Sequence, residues 1–249
     1  GERGKRLSIP PPSPAPIAAT SPPLAFGTRN PNMVLVLALT EQTGVTYQHF
    51  KPQEVANTLW ALATIGVPVL SSSNRHVITK LVSRALTLAP YFNSQDISNT
   101  LWAMAVMRLQ VEAGPDSALL QALSQQASAS AVTFRPKEIA ITLWALAKLQ
   151  AGRPVGHSLM AEALCNRARA SAASFSGSEA AITLWALGSL GGGSVVDTDV
   201  PHVTRDPSLL EALARKVQLQ ASGLNTDSVV NALHGLASLN AHLQVSQRA

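Results

Sequence analysis

The sequence predicts an all-α protein, a right-handed solenoid of paired antiparallel helices built from about five repeated units. Three observations carry that expectation. A fourteen-residue phrase recurs along the chain, and a second apolar pattern of helical length fills each interval between its copies. Alanine and leucine dominate a composition that is 46% hydrophobic but only 4% aromatic. Such a composition favours closely packed helices over sheets.

Taken in order, residues 1–31 come first and differ from the rest. Pro10, Pro11, Pro12, Pro14, Pro16, Pro22 and Pro23 oppose helix formation there, so the segment reads as a Pro-rich disordered leader or linker. Its basic residues Arg3, Lys5, Arg6 and Arg29 face Glu2 alone, a balance that suits an organelle transit peptide and a plain linker equally well. The whole chain carries a formal charge of +5, and the leader holds most of it. Charge alone therefore does not argue for a nucleic-acid partner.

The repeats occupy residues 32–243. The first copy of the phrase runs from Phe50 to Ala63 (FKPQEVANTLWALA), the second starts at Phe92, the third at Phe134, the fourth at Phe175 and the fifth at Leu224. Trp60, Trp102, Trp144 and Trp185, all the tryptophans of the chain, hold one register, and His234 takes the fifth place. Each copy opens like a helix. Pro52 and Pro136 suit a first helical position, and Glu54, Asp96, Glu138 and Glu179 put carboxylates in the positively polarised first turn. Gly66, Gly191 and Gly192 offer stops. Second helices are expected over His76–Leu88, Asp116–Ala129, His157–Ala173 and Pro207–Ala221, with Leu81, Leu123, Leu164 and Leu213 each eleven residues before the next opening residue. Leu39 has the same offset from Phe50 and predicts one more such helix ahead of it. Hairpins of this kind bury their faces by stacking on their neighbours. A loop insertion at about 191–207 lengthens the last interval, and residues 244–249 form a tail.

On a helical wheel Val55, Ala56, Leu59, Trp60, Leu62 and Ala63 share a core arc. The opposite face is centred on Asn57, with Gln53, Glu54, Ala61 and Thr64 around it. Its counterparts include Gln95, Asn99 and Val106, then Lys137, Ile141 and Lys148, then Ser178, Ile182 and Ser189, then Asn231 and Ser238. A constant core beside a varying line of side chains suits a reader of a linear polymer. The candidate RNA contacts are Gln53, Asn57, Thr64, Gln95, Asn99, Lys137, Lys148, Ser178 and Asn231, because amides can pair with base edges and lysines with phosphates. Ordinary solvated helix positions would show the same pattern. The tryptophans are expected to pack in the core with their indole N–H groups hydrogen-bonded, and Thr58, Thr100, Thr142 and Thr183 to bond the backbone or a neighbouring helix.

The phrase at Phe50 to Ala63, with its copies at Phe92, Phe134 and Phe175, resembles the octotricopeptide repeat family. The resemblance implies a paired-helix solenoid that binds single-stranded RNA of an organellar transcript along its inner helices. It implies action in a chloroplast or mitochondrion, in transcript stabilisation, processing, splicing or translation, and it leaves open a place among ribosomal or other organellar ribonucleoprotein partners. Ile141 and Ile182 stand where the family usually has Asn, which would favour a protein partner at those units. Leu224, Ala232 and His234 mark the fifth unit as a degenerate cap.

No catalytic constellation is visible. His49, His76, His157, His202, His234 and His242 form no close metal-ligand pair, no Gly-rich phosphate loop occurs, and Glu41, Asp197 and Asp199 read as loop acids. No cofactor, metal or enzymatic activity is expected. Cys165 alone excludes an internal disulfide and reads as a buried structural thiol. No run reaches the ~18 apolar residues of a membrane span.

Overall fold

The computed structural model describes residues 31–69, 71–111, 113–149, 158–190 and 206–246. The expected leader up to residue 30, residues 150–157 and nearly all of the expected insertion lie outside them, and Pro31, expected to end the leader, instead opens the first helix. The described residues are helical, with no strand among them: α1 Pro31–Thr46, α2 Pro52–Ile65, α3 Ser72–Leu88, α4 Ser94–Val106, α5 Gly114–Ala129, α6 Pro136–Leu149, α7 Ser158–Ala170, α8 Gly177–Leu190, α9 Pro207–Leu219 and α10 Thr226–Ser246. Asp206 caps α9 by accepting from the Ser208 N–H, and the helix starts at Pro207, the expected first residue. The last helix runs through Ser246, past the expected tail boundary. Glu41 lies within α1, not in a loop.

The packing follows the repeat. The even helices α2, α4, α6, α8 and α10 each pack on the next even helix, and the odd helices α1, α3, α5, α7 and α9 do the same among themselves. Leu59, Leu101, Leu143 and Leu184 from the even row and Leu81, Leu123, Leu164 and Leu213 from the odd row are fully buried in one apolar core. Cys165 lies in it, and burial pushes its thiol up to about 12.

Each even helix begins in the same way. A single 3-10 turn (Tyr47–His49, Ala89–Tyr91, Ala131–Thr133, Ala172–Ser174 or Ala221–Gly223) leads into one extended residue, respectively Phe50, Phe92, Phe134, Phe175 and Leu224. The acidic residue of the phrase then closes the helix start. Glu54 accepts from the Lys51 N–H at 2.8 Å, Asp96 from Asn93, Glu138 from Arg135 and Glu179 from Ser176. These bonds satisfy amides that a helix start leaves without partners, and the charge meets the positive end of the dipole.

A second recurring device joins the rows. Arg84 donates through Nε and Nη2 to the Phe50 carbonyl, Gln126 to that of Phe92, and Arg167 to that of Phe134, all at 2.9–3.1 Å. In the first three units the following odd helix thus fastens the extended residue that opens the unit.

Helix ends are varied. Gly66 closes α2 in the left-handed region at φ 74°. At the end of α4 that conformation falls to Arg108, at φ 53°, the one non-glycine with positive φ among the described residues. A side chain there costs about 1 kcal/mol or more. Gly235 answers another need. A Cβ on it would come within 2.6 Å of the Leu184 backbone, so only glycine lets α10 approach α8 this closely.

The end units depart from the pattern. Leu39, expected to be core like Leu81, is 58% exposed, and Thr40 is buried in its stead. In α10, Val229, Val230, Leu233 and Leu236 are exposed, although Ala180, Ala181, Leu184 and Leu187, at the same places in α8, are fully buried. Interior units bury these positions between two neighbours. The terminal helices have a neighbour on one side alone among the described residues.

Candidate nucleic-acid interface

The varying line sits on the even row. Positions spaced by four, three and four residues fall on one stripe of a helix, which in α2 holds Gln53, Asn57, Trp60 and Thr64. In α4 it holds Gln95, Asn99, Trp102 and Val106, in α6 Lys137, Ile141, Trp144 and Lys148, and in α8 Ser178, Ile182, Trp185 and Ser189. Its exposure is concentrated at the two ends. Gln53, Gln95, Lys137 and Ser178 are half-buried, and Thr64, Val106 and Lys148 are exposed with Ser189 half-buried beside them. In α6 every residue from Glu138 to Ala147 is buried. In α4, α6 and α8 two short rails thus flank a closed middle, while in α2 the middle residues Asn57 and Trp60 are half-buried.

The middle is closed because successive units lean on one another there. The Trp60 and Trp102 ring centroids lie 6.4 Å apart, and those of Trp185 and His234 6.3 Å, within the range of aromatic contact. Between Trp144 and Trp185 the contact is made by a cation, with Lys148 Nζ 5.8 Å from the first centroid and 4.8 Å from the second. The tryptophans therefore bridge units along the stripe, and do not simply fill the arc beneath it.

Several expected contacts are placed differently by this packing. Asn57 is half-buried, but Asn99 is 3% and Asn231 2% exposed, so neither amide is open to a base edge. Asn99 Nδ2 instead donates to Asn57 Oδ1 across the unit boundary, at a long 3.4 Å. Asn231 Oδ1 has no hydrogen-bond partner among the described residues. Ile141 and Ile182 are buried too, which rules them out as the surface for a protein partner. The wheel put these positions opposite the core because it treats one helix alone; the neighbouring even helices cover Asn99, Ile141 and Ile182 from both sides, and α8 covers Asn231 from one. Ser178 Oγ accepts from Ser228 Oγ at 2.9 Å, one more link between units.

The polar groups around the tryptophans follow expectation in part. Thr58 and Thr183 bond backbone carbonyls four residues back, as expected, whereas buried Thr100 and Thr142 hydroxyls find no partner among the described residues. The indole N–H groups of Trp60 and Trp144 likewise lack an acceptor. A buried donor left so costs about 1–3 kcal/mol.

At the far rail Lys148 is held below its usual ammonium range, first by burial and then by the positive charge of Arg108. Sequence reasoning singled out Lys148 and missed Arg108, which lies just past the end of α4 and outside the phrase. Among the described residues no cluster of His, Cys, Asp or Glu could hold a metal, and no helix is long and apolar enough to cross a membrane.

A protein-family model, RESC6: RNA-editing substrate-binding complex 6 protein, matches residues 24–197. The match takes in α1 to α8 and all four tryptophan-bearing units. Comparison with curated proteins returns no match.

Proposed function

The chain belongs to the RNA-editing substrate-binding complex 6 protein family, and from that membership we propose that it is a non-enzymatic RNA-binding subunit of an RNA-editing or related RNA-metabolism complex. The family match over all four tryptophan-bearing units is the observation that carries this reading. Single-stranded RNA lies along the even helices, touching Gln53, Gln95 and Lys137 on one rail, Asn57 between the rails on α2, and Thr64 and Lys148 on the other rail. The fold belonging to this reading is a right-handed solenoid of paired antiparallel helices, akin to octotricopeptide repeats. Its site of action is an organelle, chloroplast or mitochondrion, where it supports transcript stabilisation, processing, splicing or translation. The basic, acid-poor leader supports that location.

The test is fluorescence anisotropy of a labelled random-sequence single-stranded RNA pool titrated with the purified protein at several salt concentrations. Saturable binding that weakens linearly in log salt is expected. Absence of binding at low salt would overturn the reading. A second reading, a scaffold for protein partners or a component of an organellar ribosome, is favoured by the exposed apolar residues Leu35 and Leu39 on α1 and Val230 and Leu233 on α10.

A further inference from the structure

The two ends of the stack are complementary. Among the described residues α2 has no even helix before it and α10 has none after it, so the pair shows which neighbour covers which face. Val55, Ala56 and Leu59 of α2 are fully buried, while Val229, Val230 and Leu233, at the same places in α10, are exposed. These positions therefore belong to the face that a unit turns to the unit after it. Asn57, Thr58, Trp60 and Ala61 of α2 are half-buried, whereas Asn99, Thr100, Trp102 and Ala103, their counterparts in α4, are buried. Those positions belong to the face turned to the unit before. In α1 the same holds for Leu39, exposed where Leu81, Leu123, Leu164 and Leu213 are fully buried, and for Leu35 one turn ahead of it.

Stacks of repeats that end in water close with polar side chains on the last unit. Here they do not. Val229, Val230, Leu233 and Leu236 share one arc of α10 and all four meet water. The aromatic row is open at both ends as well. His234 lies 6.3 Å from Trp185 and is otherwise exposed, and half-buried Trp60 lies 6.4 Å from Trp102 with no ring before it.

We propose that a second copy of this chain seats its α1 and α2 on the exposed face of α10, so that copies stack end to end in the register of the repeat. The interface already exists four times within the chain, since α2, α4, α6 and α8 each receive the next even helix in this way. In the stacked pair α2 of the second copy takes the place that α10 holds on α8, and its α1 takes the place that α3 holds after α2. His234 of one copy then stands beside Trp60 of the next and continues the aromatic row. Pairing α10 with α10 would instead match two following faces, which no two even helices of the chain do, and would leave α1 and α2 bare. The contact is therefore heterologous, and each added copy leaves one face of each kind open for another. It goes beyond the RNA reading and does not depend on it.

The experiment is sedimentation velocity of the purified, nuclease-treated chain over a concentration series, for the wild type, Leu233→Glu on α10, and Leu39→Glu and Ala61→Glu on α1 and α2. Circular dichroism melts in dilute solution, where copies are apart, should match the wild type, because none of the three side chains is buried in a single copy. The wild-type mass should climb with concentration past twice 26.1 kDa, and each variant alone should stay at 26.1 kDa. An equimolar mixture of Leu233→Glu with either of the other two should form a species of two chains and nothing larger, because one partner keeps an intact α10 face and the other an intact α1 and α2 face. A wild-type chain that stays at 26.1 kDa throughout would overturn the proposal. So would mixtures that stay at the mass of one chain. Loss of association in Leu233→Glu alone, with Leu39→Glu and Ala61→Glu associating like the wild type, would show α10 pairing with itself and overturn it too.

Discussion

Leu184 and Leu233 offer a matched pair for testing whether the repeat register describes the packing. Both occupy the position just before the signature aromatic, in α8 and α10 respectively, and each can be truncated to alanine. Leu184 is 0% exposed and Leu233 64%. The truncation removes three carbon atoms; at ~0.8 kcal/mol for each buried methylene-sized group, the transfer part for Leu184 is about 2.4 kcal/mol. The cavity left behind adds to it, and Leu→Ala changes at such sites fall at about 2–5 kcal/mol in all. At Leu233 the side chain already meets water, so the loss should stay within about 0.5 kcal/mol. For a chain of this size each 1 kcal/mol shifts the melting midpoint by roughly 2–4 °C. Leu184→Ala should therefore lower it by roughly 5–15 °C and Leu233→Ala by at most about 2 °C, read by circular dichroism and checked by urea titration. Equal losses at the two sites would refute the argument that interior units bury this position between neighbours and the last unit does not.

Three further outcomes follow from the described contacts. Arg84→Ala removes both donors to the Phe50 carbonyl and should destabilise by about 1.5–3 kcal/mol, as for hydrogen bonds to charged groups; a urea midpoint unchanged from wild type would contradict it. Cys165, with its thiol raised to about 12, should resist iodoacetamide at pH 8 in the folded chain and react once the chain is unfolded in urea. Because burial holds its folded value above that of a free thiol, the unfolded thiol ionises first. Its contribution to stability is complete below about pH 9 and is lost as the pH rises towards 12, with Cys165→Ala as the control that lacks this fall. Asn99→Ala breaks the link to Asn57 and should lower stability by about 1 kcal/mol with an unchanged salt slope in RNA titrations, whereas a lost slope with unchanged stability would return Asn99 to the reading face.

Much of the fold was legible because one phrase carries it. The tryptophan register located the even helices, and the eleven-residue offset of Leu81, Leu123, Leu164 and Leu213 located the odd ones. Leu39 misled because an offset records register along the chain and says nothing about whether a neighbour exists on the far side. The candidate site was legible at its ends and not in its middle. Lys137, Lys148, Gln53 and Thr64 keep exposure because helix termini project past their neighbours, while Asn99 and Asn231 lose it to the adjacent even helix, which a wheel drawn for one helix does not contain. The fastening of Phe50, Phe92 and Phe134 by Arg84, Gln126 and Arg167 was missed, although those polar residues recur at nearly the period of the tryptophans; tracking polar recurrence as closely as apolar recurrence would have found them.

The central claim is that RNA runs along the even helices. Ultraviolet crosslinking of the purified chain to a random single-stranded RNA pool, followed by mapping of the crosslinked peptides, tests it most directly. The account predicts crosslinks at the ends of α2, α4, α6 and α8, close to Gln53, Thr64, Gln95, Lys137 and Lys148. Crosslinks confined to the odd helices α3, α5, α7 and α9 would contradict it.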